Sequence, residues 1–312
     1  MVHQDAGSSS SAAIVNAMTV DVEDYFQVSA FDSVVPRHCW DQYKSRVCAN
    51  TERLLAIFDE EGVQATFFVL GWVAERFPAL VGRIASLGHE VASHGYAHRL
   101  VYDLTPKGFR DDVRRAKGVI ESSAQLPVCG FRAPSYSVTP RSLWALDILI
   151  EEGYRYDASI FPIHHDRYGM PLCPRHAFLV ERAGGSLMEA PASTVRWGAM
   201  NLPVAGGGYF RLLPYGWTRW GIARLNRVER KPAIFYLHPW EIDPDQPRIG
   251  AGYMNRFRHY RNLDKTEGRL RVLLDDFAFA PMLRVLEAIP RPAREPEAAP
   301  ASRMVPALPY LW

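Results

Sequence analysis

The sequence has little net charge, few cysteines and no long apolar run. Its 36 Lys and Arg residues nearly balance 34 Asp and Glu, giving +2, so the composition predicts no nucleic-acid or anionic-membrane partner. The longest apolar runs, Ala65–Leu70 and Ile234–Leu237, are far shorter than the roughly 18–20 residues that span a bilayer. Residues 1–16 contain no Lys, no Arg and no apolar segment of the signal-peptide kind. These absences predict a soluble, cytoplasmic protein without a transmembrane segment.

Cysteine is scarce, and its spacing is not that of a metal or redox motif. Cys39, Cys48, Cys129 and Cys173 form no CxxC pair and no zinc-finger pattern. Four scattered cysteines in a chain predicted to be intracellular are typical of free thiols. The alternative is a bridge between Cys39 and Cys48.

Composition separates a central folded region from two ends. Residues 1–16 are small and polar, which predicts a flexible leader, and residues 290–312 are rich in Pro and Ala, which predicts a tail. The chain is 48% apolar and 22% charged, as a globular protein is. We expect one domain over residues 17–289, with a C-terminal extension from about residue 165.

Short apolar strands alternate with amphipathic helices in the first half of the chain. The predicted strands are Ala17–Val20, Ala65–Leu70, Glu90–Ser93 and Val128–Arg132. The predicted helices are Thr51–Glu61 with Asn50 or Thr51 as N-cap, Pro78–Leu87, one from Thr105-Pro106 to about Ser122, and one from Thr139-Pro140 to Glu152. The alternation predicts an α/β fold with a parallel sheet, either doubly wound or closed as a barrel. In both cases the chemistry lies at the carboxyl ends of the strands.

Two clusters with metal-binding residue types follow predicted strands. Asp21, Glu23 and Asp24 form either a solvated acidic turn or a general base with an oxygen ligand for a divalent metal. His94 and His98 are four residues apart, so they would share one face of a helix and could hold one ion. Such a pair also arises by chance.

Two further clusters carry basic groups at predicted strand ends. Arg132 precedes a turn at Pro134, which either aims the guanidinium at a carboxylate or leaves an ordinary surface arginine. His238 follows the apolar segment Ile234–Leu237, with Trp240 nearby. A histidine there suits a general acid with a pKa near neutrality, and a structural strand-end histidine is the alternative.

Two other motifs have less specific readings. The run Gly206–Gly208 lacks the lysine of a phosphate-binding loop and predicts a tight backbone passage near the site. The basic stretch Arg256–Arg261 is typical of a solvated surface, and the alternative is contact with an anionic polymer.

Taken in order, the four clusters resemble the NodB-type polysaccharide deacetylases, carbohydrate esterase family four, and especially the branch found in exosortase-associated exopolysaccharide loci. The resemblance covers about residues 17–285. It implies a distorted (β/α) barrel with extra C-terminal helices and loops. It also implies a hydrolase that removes N-acetyl groups from an N-acetylhexosamine-containing poly- or oligosaccharide and releases acetate. An association with an exopolysaccharide synthesis complex would fit that branch.

The resemblance also implies the parts of a metal site. Asp21 would be the general base, and a divalent ion, Zn²⁺ with Co²⁺, Ni²⁺ or Mn²⁺ as alternatives, would be held by His94, His98 and an acid. The acid is Glu23 or Asp24, because Val22 separates Asp21 from Glu23 where the family's usual motif has adjacent aspartates. Gly95 stands where Ser or Thr is common, which removes a hydroxyl but no ligand.

The remaining roles follow from the same resemblance. His238 would be the general acid, oriented by Asp157, and Arg132 would hold the catalytic aspartate. The backbone N–H of Tyr136, in the segment that contains Pro134, would stabilise the oxyanion. Apart from the resemblance, Trp240 is one of several aromatic residues near these motifs that are candidates to stack on a sugar ring.

Two alternatives to this function stay open from the residues. One is a metal-dependent amidohydrolase that acts on a small cyclic amide or imide on the same barrel. The other is an inactive barrel that binds glycan or acts as a scaffold.

Overall fold

The computed structural model of the chain describes residues 13–165 and 167–290. Most of the predicted leader and nearly all of the predicted tail therefore lie outside the described residues. The first strand begins at Asn16, one residue before the predicted start of the domain.

Most strands of the described region belong to one sheet. The strands are β1 (Asn16–Val22), β2 (Thr66–Val69), β3 (Glu90–Ser93), β4 (Gly130–Phe131), β5 (Tyr156–Asp157), β6 (Phe178–Arg182), β7 (Gly185–Glu189), β8 (Thr194–Trp197), β9 (Met200–Pro203), β10 (Ile234–Leu237) and β11 (Phe279–Ala280). Within the described residues, the sheet has nine strands in the order β10-β1-β2-β3-β4-β5-β7-β6, with β11 paired to β1. Every pair is parallel except β6–β7. The remaining two strands, β8 and β9, form an antiparallel hairpin.

Helices of varied length connect the strands. They are α1 (Val47–Glu60), α2 (Gly71–Arg76), α3 (Pro78–Ser86), α4 (Pro106–Ala124), α5 (Trp144–Glu151), α6 (Gly207–Leu212), α7 (Tyr215–Arg224), α8 (Tyr253–Tyr260), α9 (Leu263–Asp276) and α10 (Met282–Glu287). The alternation of parallel strands with helices confirms the predicted α/β class. No helix in residues 13–165 and 167–290 is long and apolar enough to cross a membrane.

The central strands are buried because helices cover the sheet. Every residue of β1, β2 and β10 is buried, which matches their continuous apolar sequence. The helix α4 shows the complementary pattern, with Phe109, Val113, Ala116 and Ile120 buried at a spacing of three to four residues. This spacing places one apolar face of α4 against its neighbours.

Helix starts were predictable only where the capping residue is local. Thr105 caps α4 as predicted, because its Oγ1 accepts a hydrogen bond from the N–H of Gly108 at 3.1 Å. The predicted start of α1 at Asn50 or Thr51 is wrong. That helix begins at Val47, where the carboxylate of Asp24 accepts the backbone N–H groups of the first turn.

The start predicted for α5 at Thr139-Pro140 is also wrong, since this helix begins at Trp144. The N–H of Thr139 donates to Oγ of Ser142 at 3.0 Å, and this hydroxyl in turn donates to the carbonyl of Ser137 at 3.0 Å. These local bonds form a turn that delays the helix. All four cysteines, which lie in the described residues, are free, as predicted.

The strand order gathers the polar clusters at one edge of the sheet. The strands β10, β1, β2, β3 and β4 are consecutive neighbours and parallel. Glu23 follows β1, His94 follows β3, Arg132 follows β4 and His238 follows β10. The carboxyl ends of these strands therefore present all four side chains to the same side of the fold.

Candidate metal centre and active site

Glu23, His94 and His98 form a compact group of potential metal ligands. One ligand atom from each lies within 4.8 Å of the other two, and all three side chains are buried. Oε2 of Glu23 is 2.8 Å from Nε2 of His98. Nδ1 of His94 lies 2.8 Å from the carbonyl of Arg132 and must be the donor, since a carbonyl only accepts. This bond leaves Nε2 of His94 with its lone pair available.

The two histidines do not lie on a helix, so the expected helical spacing is not what brings them together. They belong to a loop after β3 in which Gly95 has φ +74° and His98 has φ +49°. The guanidinium of Arg37 donates to the carbonyls of Ala97 and His98 at 2.8 and 2.7 Å. These contacts fix the loop, and the two imidazole centroids lie 5.4 Å apart.

The protonation of Glu23 and His94 fits a divalent cation. Burial lowers the pKa of His94 to about 4, so its ring is neutral at pH 7. Burial alone would raise the pKa of Glu23, but the charges of His98 and His238 outweigh it and hold that pKa well below its usual range. One carboxylate and two imidazoles, with one imidazole oriented by a carbonyl, are a donor set that Zn²⁺ accepts in catalytic sites.

Asp24, the alternative acidic ligand, lies away from the two histidines. Its Oδ2 accepts hydrogen bonds from Oγ of Ser45 at 2.6 Å and from the N–H of Arg46 at 2.9 Å. Its Oδ1 accepts the N–H of Tyr25 at 3.0 Å. The structure thus brings Glu23, and not Asp24, to the histidine pair.

Asp21 and Arg132 form a buried ion pair beside the ligand group. Nη1 of Arg132 donates to Oδ1 of Asp21 at 2.6 Å and to Oγ1 of Thr19 at 2.8 Å. The guanidinium also lies over the ring of Phe68, 4.2 Å from its centroid. Oδ2 of Asp21 remains directed toward the site, 3.9 Å from Nε2 of His238. The arginine therefore holds one oxygen of the aspartate and leaves the other available.

His238 belongs to a charged chain that the sequence interpretation missed. Nδ1 of His238 is 2.5 Å from Oε1 of Glu241, and Oε2 of Glu241 accepts a hydrogen bond from Nε of Arg211 at 2.5 Å. Burial alone would lower the pKa of His238, but the negative charges of Glu23, Glu241 and Asp21 raise it to about 9. Its imidazole is therefore cationic at neutral pH and presents an Nε2–H to the site.

The local sequence contained a signal for one member of this chain. Glu241 stands three residues after His238, at the start of a 3-10 turn, and its Oε1 also accepts the N–H of His238 at 3.1 Å. This is the spacing of a capping box. Arg211 has no such signal, because it comes from α6, 30 residues away in sequence.

Asp157, predicted to orient His238, lies elsewhere. It is the last residue of β5 and is paired with Glu189 of β7, and its carboxylate accepts a hydrogen bond from Oγ of Ser159. Burial raises the pKa of Asp157 to about 6. Burial, followed by the charge of Asp157, raises the pKa of Glu189 well above its usual range. The orienting position that was assigned to Asp157 is held by Glu241.

Tyr136 is engaged within its own turn. Its N–H, the predicted oxyanion donor, donates to the carbonyl of Ala133 at 3.1 Å in the turn Pro134–Tyr136. Pro134 is buried at the start of this turn, and the Tyr136 ring packs against Phe161 and Tyr236.

Trp240 is not the exposed sugar platform that was predicted. It is only 4% exposed, and its ring stacks between His238 and His259, with centroid separations of 5.1 and 4.2 Å. Its Nε1–H donates to Oε1 of Glu23 at 3.2 Å. Because both faces are covered, the indole serves to position the carboxylate.

Gly206 makes the close backbone passage expected of the glycine run. It has φ +119°, and a Cβ at this position would lie 2.0 Å from the carbonyl oxygen of Tyr236 in β10. Only glycine tolerates both conditions. The contact fixes the chain that leads into α6, and hence Arg211, against the strand that carries His238.

A cleft of about 420 Å³ opens beside this site. Ser29, Ser135, Tyr209, Arg211, Trp240 and Arg258 are among the residues that line it. Oγ of Ser29 lies 3.4 Å from Nδ1 of His98, so the cleft reaches the ligand group.

Comparison with known proteins gives two adjoining family matches. Residues 38–156 match the family model described as polysaccharide deacetylase, and residues 158–287 match one described as a domain of unknown function, DUF3473. The peptidoglycan deacetylase-like protein FGM2 of Gibberella zeae is 31% identical over 129 residues, which is 40% of this chain and 37% of that protein. A chitooligosaccharide deacetylase of Bradyrhizobium sp. is 31% identical over 99 residues, 32% of this chain and 43% of that one. The chain thus spans less than half the length of these relatives.

A solved structure extends the likeness to nearly the whole fold. A protein of Mycobacterium smegmatis that is assigned to the polysaccharide deacetylases superposes with a TM-score of 0.60 at 21% sequence identity. The superposition covers 92% of this chain and 95% of that one. At this identity the likeness concerns the fold.

Proposed function

Residues 38–156 belong to a polysaccharide deacetylase domain, and from that premise we propose that the chain is a metal-dependent N-deacetylase. Its substrate would be an N-acetylhexosamine-containing poly- or oligosaccharide, and its products acetate and a free amino sugar. The observation that carries the proposal is the placement of two proton-transfer groups beside one ligand group. Glu23 belongs to the ligand group with His94 and His98. Nε2 of His238 lies 3.5 Å from Oε1 of Glu23 and 3.9 Å from Oδ2 of Asp21, which Arg132 holds.

The ligand group supplies the electrophile. A divalent ion held by Glu23, His94 and His98 would polarise an amide carbonyl and lower the pKa of a water molecule. The mixed carboxylate and imidazole set favours Zn²⁺, with Co²⁺, Ni²⁺ and Mn²⁺ as the alternatives. Nδ1–H of His94 donates to the Arg132 carbonyl, which keeps Nε2 directed to the ion position.

Asp21 is the proposed general base. Arg132 occupies Oδ1, so the attacking water loses its proton to Oδ2. The water oxygen then forms a bond to the acetyl carbon. Burial of the pair keeps the aspartate in one orientation during the attack.

His238 is the proposed general acid. An amide nitrogen is a poor leaving group until it is protonated, and the Nε2–H of His238 would donate that proton as the carbon–nitrogen bond breaks. Glu241 and Arg211 hold the imidazole through Nδ1 and stabilise its positive charge. The imidazolium of His238 thus carries the proton that the leaving nitrogen needs.

The test is acetate release from N-acetylglucosamine oligomers of increasing length. The protein is stripped with a chelator and then given Zn²⁺ or Co²⁺, and the expected result is activity that only the returned metal restores. Asp21→Asn should abolish turnover and keep metal binding, whereas His94→Ala should lose both. An exposed aspartate, Asp41→Asn, is the control for a charge change that leaves the site intact.

A chain that binds one metal ion yet leaves every oligomer acetylated would overturn the proposal. Opening of small cyclic amides or imides by the same preparation would then assign the alternative amidohydrolase activity. Tyr209 and the exposed Arg167 and Arg258 line the cleft, and this aromatic and polar lining favours a sugar substrate over a small cyclic amide.

A further inference from the structure

Among the described residues that line the cleft beside the proposed active site, two exposed arginines stand without an Asp or Glu. Arg167 and Arg258 line it, and both are exposed. No Asp or Glu is among the described residues that line the cleft, and neither guanidinium has a carboxylate partner within residues 13–165 and 167–290.

The backbone that carries Arg258 is fixed to the proposed general acid. Nη1 of Arg211 donates to the carbonyls of Arg258 and His259 at 2.9 and 2.7 Å. The same guanidinium pairs with Glu241, which binds His238. The backbone at Arg258 is therefore held at a defined place relative to the chemistry, and its side chain extends from that place into the cleft.

The segment that carries Arg167 is also anchored. Tyr168, next in sequence to Arg167, stacks on Phe161 with a centroid separation of 5.9 Å and on His165 with 3.8 Å. Guanidinium groups bind carboxylate and phosphate oxygens in a planar fork.

We propose that this cleft binds an anionic sugar unit next to the N-acetylhexosamine, with its carboxylate or phosphate paired to Arg167 and Arg258. The inference rests on the proposed deacetylase function and names the substrate class of the same site. Arg258 belongs to the basic stretch Arg256–Arg261. For this residue the inference favours contact with an anionic polymer over a purely solvated surface. A neutral oligomer would offer neither guanidinium group an ion pair.

The experiment compares matched oligosaccharides. One is an alternating glucuronate–N-acetylglucosamine oligomer, the second is the same oligomer with its carboxyl groups reduced to alcohols, and the third carries phosphate in place of carboxylate. The unmodified chain should deacetylate an anionic oligomer with a kcat/KM at least about 10-fold above that for the reduced oligomer. This preference should come from a lower KM and should be present only at low salt. The better of the two anionic oligomers identifies the group.

The variants are Arg167→Gln, Arg258→Gln and the double variant. Each single change should lower kcat/KM on the preferred anionic oligomer roughly 3- to 10-fold and leave the reduced oligomer within twofold, since exposed ion pairs are partly screened. Arg227→Gln is the matched control, because Arg227 is exposed and does not line the cleft. Equal losses on charged and reduced oligomers, or no preference in the unmodified chain, would overturn the inference.

A binding measurement separates this inference from the reaction itself. The Asp21→Asn chain is titrated with the anionic and the reduced oligomers by calorimetry. Tighter, arginine-dependent binding of an anionic oligomer supports the cleft assignment even if no oligomer is hydrolysed. Hydrolysis of neutral oligomers with no anionic preference in either assay leaves the deacetylase standing and rejects the acidic sugar.

Discussion

Replacing Glu241 by glutamine removes one negative charge from beside His238 while keeping the shape of the side chain. In the structure Oε1 of Glu241 accepts the Nδ1–H of His238 at 2.5 Å, and Glu241 is fully buried. A hydrogen bond between charged groups contributes about 1.5–3 kcal/mol, which corresponds to about 10- to 150-fold in rate. We therefore expect kcat of Glu241→Gln to fall by about that factor, with KM and metal content unchanged.

The direction of the effect follows from the partner on the other side of Glu241. Nε of Arg211 only donates, so the amide oxygen of the glutamine must face Arg211 and its NH₂ group must face His238. Nδ1 of His238 then has to accept, which favours the neutral ring. Since the neighbouring acids raise the pKa of His238 to about 9, losing one of them lowers that pKa, and activity should decline at a lower pH than in the unmodified chain.

The assay is acetate release across pH 5–10, with the melting temperature and bound metal measured on the same samples. Glu241→Asp keeps the charge with a shorter reach and should recover part of kcat, while Glu181→Gln, an exposed change in β6, is the control. A kcat within threefold of the unmodified chain and an unchanged pH profile would refute the orienting role of Glu241.

Three other predictions concern stability and metal affinity. Gly206→Ala should lower the free energy of unfolding in urea by about 2–4 kcal/mol, because its Cβ would meet the carbonyl of Tyr236 at 2.0 Å in a left-handed backbone. An unchanged midpoint of the urea unfolding transition would contradict this. Burial raises the pKa of Glu189, so the contribution of this side chain to stability is full below its usual pKa of 4.5 and is lost as the pH rises. The Glu189→Gln chain should therefore become progressively more stable than the unmodified chain from pH 5 to pH 8. A difference in stability that stays constant over this range would count against a buried protonated acid. Trp240→Phe removes the N–H that donates to Glu23, and it should weaken zinc binding about 10-fold in a chelator competition. The control is Trp197→Phe, the same substitution at an exposed position.

The sequence allowed the fold class and most of the candidate site to be predicted, since both depend on short-range patterns. Apolar segments followed at once by polar residues identify strand ends, and parallel strands place those ends together. Asp21, His94, Arg132 and His238 were found in this way. The structure gathers them at one edge of the sheet, as the pattern predicts.

The parts that could not be predicted depend on contacts between distant segments. Glu23 and Asp24 are adjacent in sequence, and the choice between them is made by the start of α1, whose N–H groups bind Asp24. Arg211 reaches Glu241 from a separate helix. Trp240 was assigned to a sugar because aromatic residues often bind sugars, but the packing of two imidazoles against its faces is not encoded locally.

The parallel pairing of β1, which precedes both family-matched segments, with β10, which lies in the second, means that the chain cannot be divided at the junction between the two matches. Ala17 pairs with Ile234 and Val20 with Leu237, so the strand that leads to Asp21 and Glu23 is hydrogen-bonded to a segment that follows it by more than 200 residues. A chain cut near residue 157 would retain Glu23, His94 and His98, yet it would leave one long edge of a fully buried apolar strand without a neighbour. Exposed edges of this kind pair with other chains and aggregate. The two segments are therefore expected to yield soluble protein when they are produced together and to precipitate when the first is produced alone.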